Sequence, residues 1–307
     1  SGANNVAVGT AALSANTTGF ENVAVGRISL NLNTTGYYNT AIGSQALDAN
    51  TSGLSNSSLG YASLGANTTG SYNTALGSYA LISNTTASSN TAVGYQAGYA
   101  NTTGADLTAI GYQALDANTT GNYSTAVGYS ALGANTTGSA NEAFGREALR
   151  LNTTGSNNTA LGYRSLDVNT SGGSNVAVGQ FALGNNTTAS NNTAVGYQAG
   201  YSNTTGTQNV AFGSLSLDAN TTGNNNTALG HHAAGKTTTA SNNTALGRTA
   251  LYENSTGASN TAVGSEALYF NTTASNNTAV GYQAGYNNTT GVSNTFLGKD
   301  AGFSSTA

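Results

Sequence analysis

The chain has 307 residues, a formal net charge of -4 and only 6% charged residues, against 41 glycines and 37% hydrophobic residues, with no Cys, Pro, Met or Trp. This composition excludes disulfide frameworks and thiolate metal sites, offers no basic stripe for nucleic acid, and contains no apolar run near the ~20 residues of a membrane helix. Low net charge with apolar residues in fixed columns also argues against disorder.

The columns come from a 17-residue repeat that runs without insertion or deletion from Ala3 to the C-terminus. Positions are numbered below as places one to seventeen, with Ala3 at place one. A strict short period marks a solenoid, in which each coil contacts only its neighbours. The expected fold is therefore all-β: a parallel β-solenoid (β-roll) of eighteen 17-residue coils, forming one continuous domain over residues 1–307.

Within each coil the consensus is x-x-N-T-A-V-G-Y-x-A-L-x-x-N-T-T-G. Gly and Asn-Thr-Thr-Gly interrupt any helical stretch, so short strands are expected at N-T-A-V, at x-A-L and at N-T-T, divided by turns. Place six is always apolar, from Val8, Val25 and Ile42 to Leu297, and is expected to form the core. Place five is Ala except for Ser58 and Phe296, and place ten is always Ala or Ser, which implies close approach of another backbone.

Place seven is invariant glycine: Gly9, Gly26, Gly43, Gly60, Gly77, Gly94, Gly111, Gly128, Gly145, Gly162, Gly179, Gly196, Gly213, Gly230, Gly247, Gly264, Gly281 and Gly298. These are expected to be structural turn or bulge positions. No Walker-type lysine and helix follow them, so they do not suggest a phosphate loop. Place eleven is Leu in thirteen copies; where it becomes Gly, at Gly98, Gly200, Gly285 and Gly302, the next residue is Tyr99, Tyr201, Tyr286 or Phe303. The ring is expected to replace the missing Leu volume.

Place fourteen is Asn in sixteen copies: Asn16, Asn33, Asn50, Asn67, Asn84, Asn101, Asn118, Asn135, Asn152, Asn169, Asn186, Asn203, Asn220, Asn254, Asn271 and Asn288. The column suits left-handed turn geometry and a coil-to-coil amide ladder. Every member also sits in N-x-S/T, an acceptor motif for N-linked sugar, although acceptors ~4.8 Å apart would crowd branched glycans. The paired Thr columns at places fifteen and sixteen, such as Thr119 and Thr120, could carry O-linked sugar or form an ice-binding array. Tyr at place eight (Tyr61, Tyr95, Tyr112, Tyr129, Tyr163, Tyr197, Tyr282), interspersed with Arg27, Arg146 and Arg248, suggests a glycan-contacting or subunit-contact stripe.

Catalytic, cofactor and metal residues are expected to be none. His231 and His232 are the only histidines, and on a strand they would point to opposite faces. Asp48, Asp116, Asp167 and Asp218 share place twelve but lie in separated coils, without the paired carboxylates that glycosidase or calcium chemistry needs.

The N-T-A-V-G-Y-Q-A and N-T-T-G blocks at Asn90 to Gly104, Asn192 to Gly206 and Asn277 to Gly291 resemble two related groups. One is the head region of trimeric autotransporter adhesins, which implies a left-handed parallel β-roll, trimeric assembly and surface adhesion. The other is the repeat region of tail-fibre-like proteins of bacteria and phages, whose wording is nearer and covers nearly the whole chain. The adhesin repeat is shorter than 17 residues, and neither the adhesin neck and anchor nor the tail-fibre chaperone is seen.

From the residues alone, two sizeable apolar side chains per coil fall short of the entropy of ordering it. A lateral partner over the Ala column is therefore expected, giving a homo-oligomer with three chains favoured. Neither end shows the polar cap that closes most solenoids, which suggests head-to-tail stacking or a segment of a longer fibre. The resulting expectation is a structural shaft subunit of an extracellular, cell-surface or virion-surface fibre, with glycans as a further partner and without membrane insertion. The alternatives are an adhesin head or, less favoured, an ice-binding protein; an enzyme is not expected.

Overall fold

A computed structural model describes residues 2–306, which fall into two compact units that meet between residues 154 and 155 of the chain. The first unit carries nine strands, β1 Val6–Val8, β2 Val23–Val25, β3 Thr40–Ile42, β4 Ser57–Leu59, β5 Thr74–Leu76, β6 Thr91–Val93, β7 Thr108–Ile110, β8 Thr125–Val127 and β9 Glu142–Phe144. The second carries β10 Thr159–Leu161, β11 Val176–Val178, β12 Thr193–Val195, β13 Val210–Phe212, β14 Thr227–Leu229, β15 Thr244–Leu246, β16 Thr261–Val263, β17 Thr278–Val280 and β18 Thr295–Leu297. Within each unit successive strands pair in parallel, in register place for place, as Thr74↔Thr91 and Leu76↔Val93 show. The fold is an all-β parallel solenoid with one 17-residue coil per repeat.

Only places four to six are strand; the expected strands at x-A-L and N-T-T are absent among the described residues. The reason lies in the backbone dihedrals. Besides Gly at place seven, whose φ lies between 116° and 143°, places two, nine and eleven are left-handed, as in Tyr38 (59°), Gln45 (63°) and Leu47 (51°). The Asn of place fourteen, expected to take that geometry, does not. A left-handed L-residue costs roughly 1–2 kcal/mol, but here it turns the peptide along the stacking direction. Gln45 thereby donates its N–H back to the Arg27 carbonyl (3.0 Å), and Leu47 donates forward to Ser63 (3.0 Å). Each bond is worth about 0.5–1.5 kcal/mol, and an unpaired buried donor would cost about 1–3, so the strained dihedrals are sustained by stacking.

Place seven tolerates no side chain because the next coil's backbone is too near. A Cβ on Gly43 would stand 2.3 Å from the Gly60 carbonyl oxygen, and one on Gly77 would stand 2.4 Å from that of Gly94. Glycine is required here both for φ and for space.

The core differs from the expected one. In the strand it is place five that points inward: Ala24, Ala41, Ala92 and Ala126 are fully buried, and in the second unit so are Ala177, Ala228 and Ala262. Place six points outward, with Ile42 38%, Leu59 47%, Leu76 43% and Phe212 51% exposed. The interior is narrow, since the two walls of a coil touch: Ser58 at place five donates its hydroxyl to the Ser63 carbonyl at place ten, 2.9 Å away. Ala or Ser fills place five in every coil but the last, where the Phe296 ring takes the space beside Gly285 and Gly302, and the large apolar side chains inside are Leu of place eleven, fully buried at Leu30, Leu47, Leu115 and Leu268, together with Leu107 of place three.

Where place eleven is Gly, the following ring does not refill the core. Tyr99 is 39% exposed, and Tyr286 stacks outside between Tyr269 and Phe303. The space beside Gly98 is instead occupied by Leu81 of the preceding coil, whose Cδ2 lies 2.9 Å from where a Cβ would be; Leu183 does the same beside Gly200 at 3.0 Å.

Candidate functional site

Of the sixteen place-fourteen asparagines, fifteen are buried and Asn16 is half-buried. Asn50 is typical: its Nδ2 donates to Oδ1 of Asn33 (2.8 Å) and to the Gly53 carbonyl (3.0 Å). Asn118 repeats both bonds with Asn101 (2.9 Å) and Gly121 (3.1 Å), and Asn271 with Asn254 (3.0 Å) and Ala274 (3.0 Å). The column is thus an amide ladder, and both Nδ2 hydrogens are spent on it. An N-linked sugar on this nitrogen would cost one of those bonds and would have to enter a closed interior.

A second ladder at place three carries equal weight. Asn39 donates Nδ2 to the Gly53 carbonyl (2.8 Å), the same acceptor that Asn50 uses, while its Oδ1 accepts the backbone N–H of Asn56 (3.0 Å). Place three was assigned to the strand in the sequence analysis. Its recurrence in sixteen of eighteen coils, broken only by Leu107 and Ser124, was the available signal, since a mere strand position needs no particular amide. In the coils that carry both, the two asparagines close the coil on itself and on its neighbour.

The paired Thr columns divide by role. Place-fifteen hydroxyls are turned into the stack, Thr119 Oγ1 donating to the Thr136 carbonyl at 3.0 Å, and place sixteen faces outward. A flat two-hydroxyl array is therefore not what the coil presents. The invariant glycines likewise face no ligand, being packed on the next coil as described.

His231 and His232 are not on a strand but in the turn after β14, and their rings meet edge to face at 4.3 Å rather than diverging. Burial and the neighbouring His231 hold the His232 imidazole below its ordinary pKa, with Asp218 opposing the shift. The four place-twelve aspartates stay in separate coils. Burial pushes the carboxyls of Asp48, Asp116 and Asp218 above the usual carboxylate value. Among the described residues no group of three or more His, Cys, Asp or Glu is placed to hold a metal ion.

On the outer surface, place-eight tyrosines such as Tyr61, Tyr95 and Tyr163 join rings of places nine and twelve in aromatic clusters, and place-twelve rings stack with one another. In the first unit Tyr61 meets Tyr79 at 5.2 Å and 88°, and Tyr95, Tyr112 and Tyr129 stack in series at 5.4 and 5.3 Å. In the second, Tyr252, Tyr269, Tyr286 and Phe303 form a stack with centroids 5.1–5.4 Å apart. One groove opens in the first cluster where place twelve is Gly65. It is an open groove of about 500 Å³ walled by Tyr61, Tyr79 and Ile82, with Asp48 and Gln45 along one side. Its size is that of a small-molecule site.

A smaller groove of about 240 Å³ runs over the outward face of the strands, lined by Thr40, Ile42, Leu59, Thr74 and Leu76. Comparison with family models and with curated protein sequences finds no match.

Proposed function

We propose that the chain is a structural shaft subunit of a surface fibre, assembled laterally as a homo-oligomer. One observation carries this reading: the outward place-six stripe of Val, Ile, Leu and Phe, which remains 36–51% exposed over most coils of both units. Contiguous exposed apolar surface marks an interaction site. A second copy, with the same stripe at the same spacing, is the partner whose geometry matches it. The partner therefore covers place six and not the Ala column, which is already inside the coil. Extracellular or virion-surface placement, and the tail-fibre-like resemblance of the N-T-A-V-G-Y-Q-A blocks, belong to the same proposal. Sugar decoration, if present, fits the outward Thr of place sixteen better than the buried amides.

Multi-angle light scattering of the purified chain tests the reading. Wild type is expected as a defined oligomer, with three chains favoured, and the double variant Leu59→Asp/Leu76→Asp as a folded monomer. A monomeric wild type at micromolar concentration overturns it.

The aromatic groove beside Asp48 supports a second reading, an adhesin-like binding surface. The two are separated by electron microscopy: discrete rods without end-to-end continuation, together with ligand binding, favour the adhesin.

A further inference from the structure

Among the described residues a cationic side chain recurrently meets both a tyrosine ring and a carboxylate. Arg146 sits 5.6 Å from the centroid of Tyr129 and pairs with Glu147 at 3.1 Å. Arg164 sits 5.5 Å from Tyr163 and pairs with Asp167 at 3.7 Å. Lys236 sits 5.1 Å from Tyr252 and holds Glu253 at 2.7 Å. The ring's negative face and the carboxylate attract the same positive charge from two sides.

At the Gly65 groove the same two elements recur and the cation is missing. Tyr61 and Tyr79 stand nearly perpendicular, 5.2 Å apart, and so form two walls of a corner. The Asp48 carboxylate faces the notch left by Gly65, its Oδ1 3.4 Å from where a Cβ would stand. Asp48 makes no ion pair among the described residues. Arg27, the base nearest in sequence, is exposed and does not pair with it. Partial burial of this carboxylate without a counter-charge also raises its pKa, the sign expected of an acid that a bound cation would relieve.

We propose that the groove of Tyr61, Tyr79, Asp48 and Gln45 binds a small organic cation, an alkylammonium or guanidinium headgroup seated in the tyrosine corner against the Asp48 carboxylate. The site does not depend on the fibre reading, because all its parts lie within three successive coils of one chain.

The chain has 17 tyrosines, so the residue-resolved ring proton shifts of Tyr61 and Tyr79 report on these walls. Tetramethylammonium and methylguanidinium chlorides are titrated into the full chain at constant ionic strength, with 3,3-dimethylbutan-1-ol as neutral control. Saturable perturbation of the Tyr61 and Tyr79 ring signals by at least one cation, and none by the alcohol, is the expected result. Each variant borrows a residue that another coil carries at the same place: Asp48→Asn as at Asn31, Tyr79→Leu as at Leu215, Ala66→Lys as at Lys236. Asp48→Asn should weaken binding about tenfold and Tyr79→Leu about fivefold, the scale of a lost charge partner and a lost aromatic face. Ala66→Lys should abolish it by supplying a tethered ammonium. Circular dichroism verifies the fold of each variant, and the wild-type ring shifts locate the site without any variant. Equal binding of the neutral alcohol, unchanged affinity in Asp48→Asn, a response to methyl glycosides without one to either cation, or no response at all would each overturn the proposal.

Discussion

Places five and six are neighbours in every coil and nearly equally strict, yet they lie on opposite sides of one strand. In β7, Ala109 is 2% exposed and Ile110 is 38% exposed; in β14, Ala228 is fully buried and Leu229 is 44% exposed. The smaller side chain is inside because the coil is too narrow for a larger one. The larger is outside, where nothing in its own chain covers it. Strictness in a repeat column therefore has two separate causes here, the width of the interior and the demands of whatever meets the outer face.

The largest expected effect breaks the comparison from within. Leu115, at place eleven, is fully buried, inside the coil that also buries Leu107 at place three. Leu115→Ala should cost about 2–5 kcal/mol of unfolding free energy, as for other buried leucines. Ile110→Ala, which removes a residue of similar size from place six, should change the stability of the dispersed chain by less than about 1 kcal/mol while weakening self-association. Urea unfolding at several protein concentrations reads both terms. Equal losses for the two variants at low concentration would mean that place six belongs to the chain's own core.

Next in size is the amide ladder. Asn118→Ala removes the donor to Asn101 Oδ1 and to the Gly121 carbonyl, leaving buried acceptors short of partners at about 1–3 kcal/mol each. The same change at Asn122, which lies on the outside at place one, should move stability by no more than about 1 kcal/mol, since it costs one hydrogen bond to the Ala105 N–H. A negligible loss at Asn118 would deny the ladder its structural role and reopen the column as a sugar acceptor.

How much of this could be read beforehand follows the same division. The period, the parallel stacking and the glycine of place seven were legible because each depends on one property, repetition or the lack of a Cβ. The inward direction of Ala rather than Val was not. A three-residue strand flanked by turns offers one alternation, and choosing its inner face by side-chain size presumes a roomy core. The left-handed residues at places nine and eleven were hidden for another reason. Gln, Tyr and Leu carry no local signal for positive φ, and the hydrogen bonds that hold Gln45 and Leu47 there come from the coils on either side. The groove was half legible: its tyrosines were noticed as a stripe, whereas the part played by Gly65, an absence of side chain between Asp48 and Ile82, becomes visible only when the coils are stacked.

The smallest effect concerns place twelve, which is neither inside nor fully outside. Burial raises the carboxyl pKa values of Asp48, Asp116 and Asp218 above their ordinary 3.8, and at Asp218 the nearby His232 opposes part of the rise. The folded chain therefore holds these protons more tightly than the unfolded chain. Between 3.8 and the raised values the folded state carries more protons, so stability falls as pH rises through that window and stays lower above it. In a His232→Gln background, which removes the opposite contribution of an imidazole held below its ordinary value, thermal unfolding should show a higher midpoint near pH 4 than near pH 7. The variant Asp48→Asn/Asp116→Asn/Asp218→Asn should flatten that difference and raise the midpoint at pH 7, because it removes three carboxylates that are partly desolvated without an ion-pair partner. A midpoint that falls on acidification in the His232→Gln background would instead mean that these carboxylates are stabilised as anions, for Asp48 by a counter-charge already seated in the tyrosine corner.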